Sequence, residues 1–370
     1  MKRVFFYLAL TAILTTKCGD DNGGDKIDNN LPNNNDEPPK EQETVTTGLW
    51  ILSEGIMNSG NGQLAYYAYN SATDQFVPDA TKRFQNFGET PNDLLIYGAK
   101  MYAAIQGSGA NDGMVRVINP FTGEKIEEIV INHDGFEQQP RRLAASSGKV
   151  FVTLMSGAVA QIDTASFVTQ VTELSGTHSD GICVNGQLLY ICNSGFGEGN
   201  TVSVVSISGF TEIDVINVPY NPVNILSIGN DELFLNTAFV WTGPAEMTLA
   251  KVHVLNTVSK TITETLEIGV ESIVAGKNYI YGAAADWSTM GSILKKISIT
   301  DKIVSEFNES SGNYMHGYKL SMNPVTNEIF LTQIMGDNVW RFKEDGTLIE
   351  TITVGQQNGT AIVFVNIANH

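Results

Sequence analysis

One phrase recurs along the chain. It is a polar step, often with a proline, then an apolar run, a Gly or Asn turn and a second apolar run. It reads TPNDLLIYGAKMYAAIQ from Thr90, QPRRLAASSGKVFVTL from Gln139 and NPVNILSIGNDELFL from Asn221. Units start near Thr90, Gln139, Thr177, Asn221, Gly269 and Tyr314. Their spacing is roughly 40 to 50 residues, the period of propeller blades. Within a unit the pattern predicts four short strands, which in the first unit are DLLIYG, KMYAAIQ, MVRVINP and KIEEIVI. Val, Ile, Tyr and Phe dominate the runs, and Gly, Asn and Pro mark the turns. No stretch after the N-terminal segment sustains a helical period.

The segment before Thr90 offers only three strands, GLWILSEG, QLAYYAYN and QFVPDA, and the chain's end offers one orphan, TAIVFVN. That orphan matches the first strand of every other unit. Residues 360–366 are therefore expected to supply the inner strand of the first blade. The fold class is then all-β, a seven-bladed β-propeller whose first blade is closed by the C-terminal strand, with no open sheet edge.

A chain of 370 residues that is 42% hydrophobic and 17% charged can bury a large core. Its formal net charge of -18 argues against nucleic acid as a partner and disfavours docking on anionic lipid by charge. MKR followed by VFFYLALTAIL has the make-up of a signal peptide, too short to span a bilayer as a helix. Residues 19–47 are Asp, Asn, Glu and Pro with almost nothing apolar and read as a disordered acidic tether. The propeller is expected over 48–370. If Asn185-Gly186 forms a two-residue hairpin turn, Cys183 lies opposite Leu188. Cys192 is then roughly 13 Å further on at the usual strand rise, beyond the about 7 Å that a disulfide allows. Two buried free thiols are expected.

Cys18, directly after the apolar segment, resembles the lipidation site of bacterial lipoproteins, although Lys17 stands where that site usually has a small residue. An ordinary cleaved signal with an incidental cysteine is the alternative. The acidic run after Cys18 resembles the export signal of surface lipoproteins of the Bacteroidetes. VRVINPFTGEKIEEI, followed by a new P-x-x-L-x-x-x-x-G-K-V-F unit, resembles the YVTN/YncE-type propellers. The opening GLWILSEGIMNSGNGQLAYYAYNSATDQF is similar to the start of YncE-like, DUF5074-type lipoproteins. Residues 1–18 are thus expected to be a lipoprotein signal peptide, and Cys18 a lipid anchor on the outer membrane at the cell surface.

Inner-strand starts and the loops between second and third strands share one face of a propeller. The starts place Asn92, Arg141, His178, Asn224, Glu271, His316 and Asn358 around the central funnel, a convergent polar ring. The alternative is that these residues only cap strand ends and hold water. The loops on that face carry Phe196, Phe239, Trp241, Trp287, Met57, Met155, Met290 and Met335, where Gly, Asn and Ser are usual. Large rigid aromatics on loops suit a ligand-binding surface; the alternative is that Trp241 and Trp287 fold back over their own blades.

The chain has no HExxH, CxxC, Walker or GxSxG motif. The expectation is therefore a binding protein and not an enzyme, with no cofactor. The resemblance extends to the cobalamin-capturing (BtuG-type) propellers, which implies a corrinoid ligand and a TonB-dependent outer-membrane transporter as partner. Two further readings stay open. One is a glycan- or protein-binding scaffold. The other is a metal-assisted lyase or lactonase using His178, Glu271 and His316, as in related-looking propellers.

Overall fold

A computed structural model describes residues 44–109, 112–241, 247–308 and 311–368. The signal peptide, Cys18 and nearly all of the tether lie outside the described residues. The second strand of the first blade, Thr44–Ser53, begins ahead of the expected boundary at residue 48 and draws the last tether residues into the sheet.

Seven four-stranded antiparallel sheets form the blades of a β-propeller. The first contains Gly359–Ala368, Thr44–Ser53, Gln63–Asn70 and Gln75–Phe84. The C-terminal strand is innermost and pairs from Thr44↔Ala368 to Ser53↔Gly359, so the expected closure is met. The other inner strands are Pro91–Tyr97, Pro140–Ser146, Ser179–Asn185, Pro222–Ser227, Ser272–Ala275 and Gly317–Met322. Strands run about six residues because each crosses a blade once before a Gly, Asn or Asp turn reverses it. At several of those reversals one Asn or Asp carboxamide or carboxylate accepts backbone N–H groups two or three residues on. Asn70, Asn119, Asp163 and Asn256 all do this between third and fourth strands.

Each blade is apolar on both faces and cannot bury them alone. The buried side chains accordingly fall into one cluster per blade junction, seven in all. Between second and third blades, for example, Tyr102, Val115 and Val117 meet Val150, Val152 and Ala160. Trp50, fully buried, donates its indole N–H to the Pro120 carbonyl at 2.8 Å and ties the first blade to the second. Cys183 and Cys192 are both buried free thiols.

The hairpin between them differs from its expected register. Asn185 pairs with Leu188 and Cys183 with Tyr190, so the turn residues are Gly186-Gln187 and Cys183 does not face Leu188. Gly186 takes φ of 61° at the first turn position, where the Gly-X hairpin turn requires it. Asn185 stays in the strand because its side chain donates to the Asn230 carbonyl and accepts from Ser227, both in the fifth blade.

Candidate functional site

Inner strands do not start as regular strands. In six of seven blades the pairing slips by one residue at the start, between Pro91/Asp93, Pro140/Leu143, Ser179/Ile182, Pro222/Asn224, Gly317/Leu320 and, in the first blade, Leu52/Ser53 opposite Thr360. A β-bulge re-aims the extra side chain. Around a ring this turns six short polar segments toward the axis. The segments read P-N-D-L, P-R-R-L, S-D-G-I, P-V-N-I, G-Y-K-L and G-T-A-I. Their middle residues, all but Ala361, line a central cavity of about 640 Å³ together with Glu54, Met57, Met155, Phe196 and Glu271.

The cavity wall is charged. The Asp180 carboxylate bridges two guanidiniums, Arg141 at 2.9 Å and Arg142 at 3.3 Å. Arg142 also donates to the Asn92 carbonyl at 2.6 Å. Asp93 accepts the Leu94 and Leu143 N–H groups, the second from the next blade. Glu54 accepts from the Tyr318 hydroxyl at 3.3 Å. Burial raises the Asp93 and Glu54 carboxyls above their ordinary range, against the pull of neighbouring cations. Lys319 shows the converse: burial, then the Arg142 charge, pull its ammonium down to about 8. Its Nζ lies 4.7 Å over the Tyr318 ring and has no hydrogen-bond or ion-pair partner among the described residues.

The residues read from the sequence divide into three groups. Asn92, Arg141, Phe196, Asn224 and Glu271 line the cavity. The amides of three ring residues hold backbone: Asn92 donates to the Pro140 carbonyl as well as to the Gln106 side-chain oxygen, Asn224 to the Ile273 carbonyl, and Asn358 to the Gly55 carbonyl. These are joints between strands and blades, which is the capping role. His178, His316 and Asn358 sit one residue before their strands at φ of 51°, 51° and 62°. Each left-handed residue offers its carbonyl to the end of the second strand, through Ser194, Ile334 and Glu54 N–H respectively.

The two histidines do not meet. His178 lines a side pocket of about 240 Å³ branching from the channel, and its ring lies 3.7 Å from that of Phe196. His316 is buried under Trp287, ring to ring at 4.5 Å, and its Nε2 has no partner. Among the described residues the three-ligand cluster of suitable geometry is His133, Asp134 and Glu173, away from the channel. His178, Glu271 and His316 form no such group, so the metal-assisted alternative lacks its geometry among the described residues.

The rim is apolar and outward. Met57, Phe196, Trp287 and Met335 are 74%, 69%, 56% and 70% exposed. Trp287 therefore does not fold back over its own blade; it leans on His316 of the next. Phe239 is exposed near the same face. Trp241 stands in a short ladder with Met247, and its side chain lies outside the described residues. Phe196, Met290 and Met335 hold φ of 56°, 64° and 58°, values that cost a bulky side chain about 1 kcal/mol or more. Such strain concentrates where a side chain has to be presented and not packed away.

Sequence reasoning missed Glu54, Asp93, Arg142, Asp180, Tyr318 and Lys319. The signal was there: in P-N-D-L, P-R-R-L, S-D-G-I, P-V-N-I and G-Y-K-L, two residues between a Pro, Ser or Gly and the first Leu or Ile break strand alternation at the same place in five units.

No protein-family model matches the sequence, and neither does any curated protein. Solved structures do match by shape. A Bacteroides uniformis protein with the provisional title 6-phosphogluconolactonase superposes with a TM-score of 0.65 at 14% identity, covering 86% of this chain and 100% of that one. The Kuenenia stuttgartiensis hydrazine synthase gives 0.61 at 12% identity, over 75% of this chain and 95% of that one. The computationally designed Ika8 protein gives 0.55 at 13% identity, over 87% and 93%. Likeness at this level of identity speaks for the fold alone: the chain is a seven-bladed β-propeller.

Proposed function

We propose that the protein is a capture propeller that binds a broad, partly apolar, amide-fringed small molecule of the corrinoid class across the channel mouth. In this reading a lipid on Cys18 displays it at the cell surface, and it passes the ligand to a TonB-dependent outer-membrane transporter. The observation that carries the binding reading is the rim: exposed Met and aromatic side chains, three on left-handed backbone, surround a cavity with a polar, charged wall. Apolar surface around a few fixed polar groups is the usual make-up of a ligand site. Ligand class, anchor and transporter rest on resemblance in the sequence.

The test is a calorimetric titration with cyanocobalamin, followed in parallel by corrin absorbance. Saturable binding, weakened about tenfold or more by Phe196→Ala or Trp287→Ala, is expected. Neither heat nor spectral change at high micromolar ligand would remove the corrinoid.

A further inference from the structure

We infer that the channel wall is an anion-recognition site, in which the Lys319 ammonium, backed by the Arg142 guanidinium, takes a carboxylate or phosphate group of the incoming ligand. The inference deepens the capture reading by stating what the buried end of the ligand carries.

The argument is one of unmet partners. Every inward carboxylate of the wall already has donors. Asp180 holds Arg141 and Arg142, Asp93 accepts two backbone N–H groups, and Glu54 accepts the Tyr318 hydroxyl. Glu271 lies exposed at the rim. Arg141 is further occupied by Gln106 at 3.2 Å, and Arg142 by the Asn92 carbonyl. Lys319 is the exception, a cation in the cavity with no hydrogen-bonded or ion-paired acceptor among the described residues, so that Asp180 and Glu54 act on it only through longer-range attraction. Burying an ammonium without a partner is costly, and the cost is relieved by an acceptor carrying negative charge.

The backbone that carries its stem is fixed by the fold. Lys319 lies in the bulge of the seventh blade. Its N–H donates to the Thr332 hydroxyl at 3.0 Å, and the Thr332 hydroxyl in turn donates to the Gly359 carbonyl. Arg142 is held in the same way from the third blade, its N–H donating to the Thr153 hydroxyl at 3.0 Å. The same stitch in two blades thus directs two cations to one channel. Arg142 is also the leading charge acting on Lys319, which places the two within electrostatic reach.

The test uses the folded chain with inorganic phosphate and, separately, sodium acetate, at ionic strength matched with chloride. Melting temperature and calorimetry are the readouts. One of the two anions is expected to bind and to raise the melting temperature above the chloride control; phosphate alone responding identifies a phosphate group, acetate alone a carboxylate. Lys319→Met should weaken binding about tenfold or more, and Lys319→Arg should keep most of it. Binding should also fade as pH rises through about 8, where the ammonium is lost in the field of Glu54, Asp93, Asp180, Arg141, Arg142 and Tyr318. Trp287→Ala should leave the small anions unaffected. Absence of protection by either anion, or equal protection in Lys319→Met, overturns the inference. Cyanocobalamin binding with no anion response leaves the capture reading standing and removes this one. The reverse pattern keeps the anion site and removes the corrinoid.

Discussion

At the scale of single residues, two bases shielded from water, Lys319 and His253, contribute to the pH response. Lys319 titrates near 8 in the folded chain against 10.5 ordinarily. Between these values the unfolded chain binds more protons, so stability should rise with pH there. Lys319→Met should therefore stabilise the protein at pH 7 by roughly 1–2 kcal/mol, and the gain should shrink toward pH 10 in urea melts. His253 works at the acid end. Its two ring nitrogens face the Thr237 and Thr265 hydroxyls, and burial, then Lys251, pull it to about 4. Below its ordinary 6.5 the unfolded chain takes up a proton that the folded one refuses until about 4. Stability should fall through this window, and the fall should be smaller in His253→Gln, as acid denaturation curves of the two proteins would show.

At the scale of the element, the bulged strand start is the device that joins fold to site. It was half legible. The repeated phrase located every inner strand, and Asn92, Arg141 and Asn224 each fall on a bulge or beside it. A single-residue reading chose one side chain where the bulge turns two inward, so Asp93, Arg142 and Lys319 went unseen. The hairpin at Asn185 slipped for a related reason: side-chain bonds to the neighbouring blade outweigh local turn preference, and no single strand reveals its neighbour. Close approach between blades at the same level is tight. A Cβ on Gly181 would stand 2.6 Å from the Asn224 Cα and 2.7 Å from the Val223 carbonyl oxygen. Gly181→Ala should cost about 1–3 kcal/mol by pushing the fourth blade from the fifth, measured as a lowered denaturation midpoint with unchanged far-UV circular dichroism.

Across the whole molecule, the seam between the seventh and first blades decides whether the ring holds. Strand pairing inside the first blade joins Thr44–Ser53 to Gly359–Ala368, and composition plus strand count made that visible in advance. The second fastening was not visible. Arg341, 2% exposed, binds Asp74 of the first blade and Glu328 and Glu350 of its own at 2.7–3.3 Å. Glu350 also accepts the Phe76 N–H across the seam. Asp74 and Phe76 lie far from Arg341 and Glu350 in sequence, so only the closed ring brings them together. Arg341→Ala leaves carboxylates facing one another and should cost about 3 kcal/mol. Arg341→Ala with Glu328→Gln should recover part of that in a thermal melt, and failure to do so would mean that the guanidinium acts by packing on Tyr69 and Phe76 alone.

The seam also imposes an order of events on synthesis. Thr44–Ser53 is made early, yet its inner partner, Gly359–Ala368, is made only after the six other blades. Until then the nascent chain carries Thr44–Ser53 with its inner edge unpaired. A product cut short of Gly359 lacks the strand that covers that edge. Closure of the ring therefore waits for this strand, and a copy terminated before it declares itself by the edge that it leaves sticky.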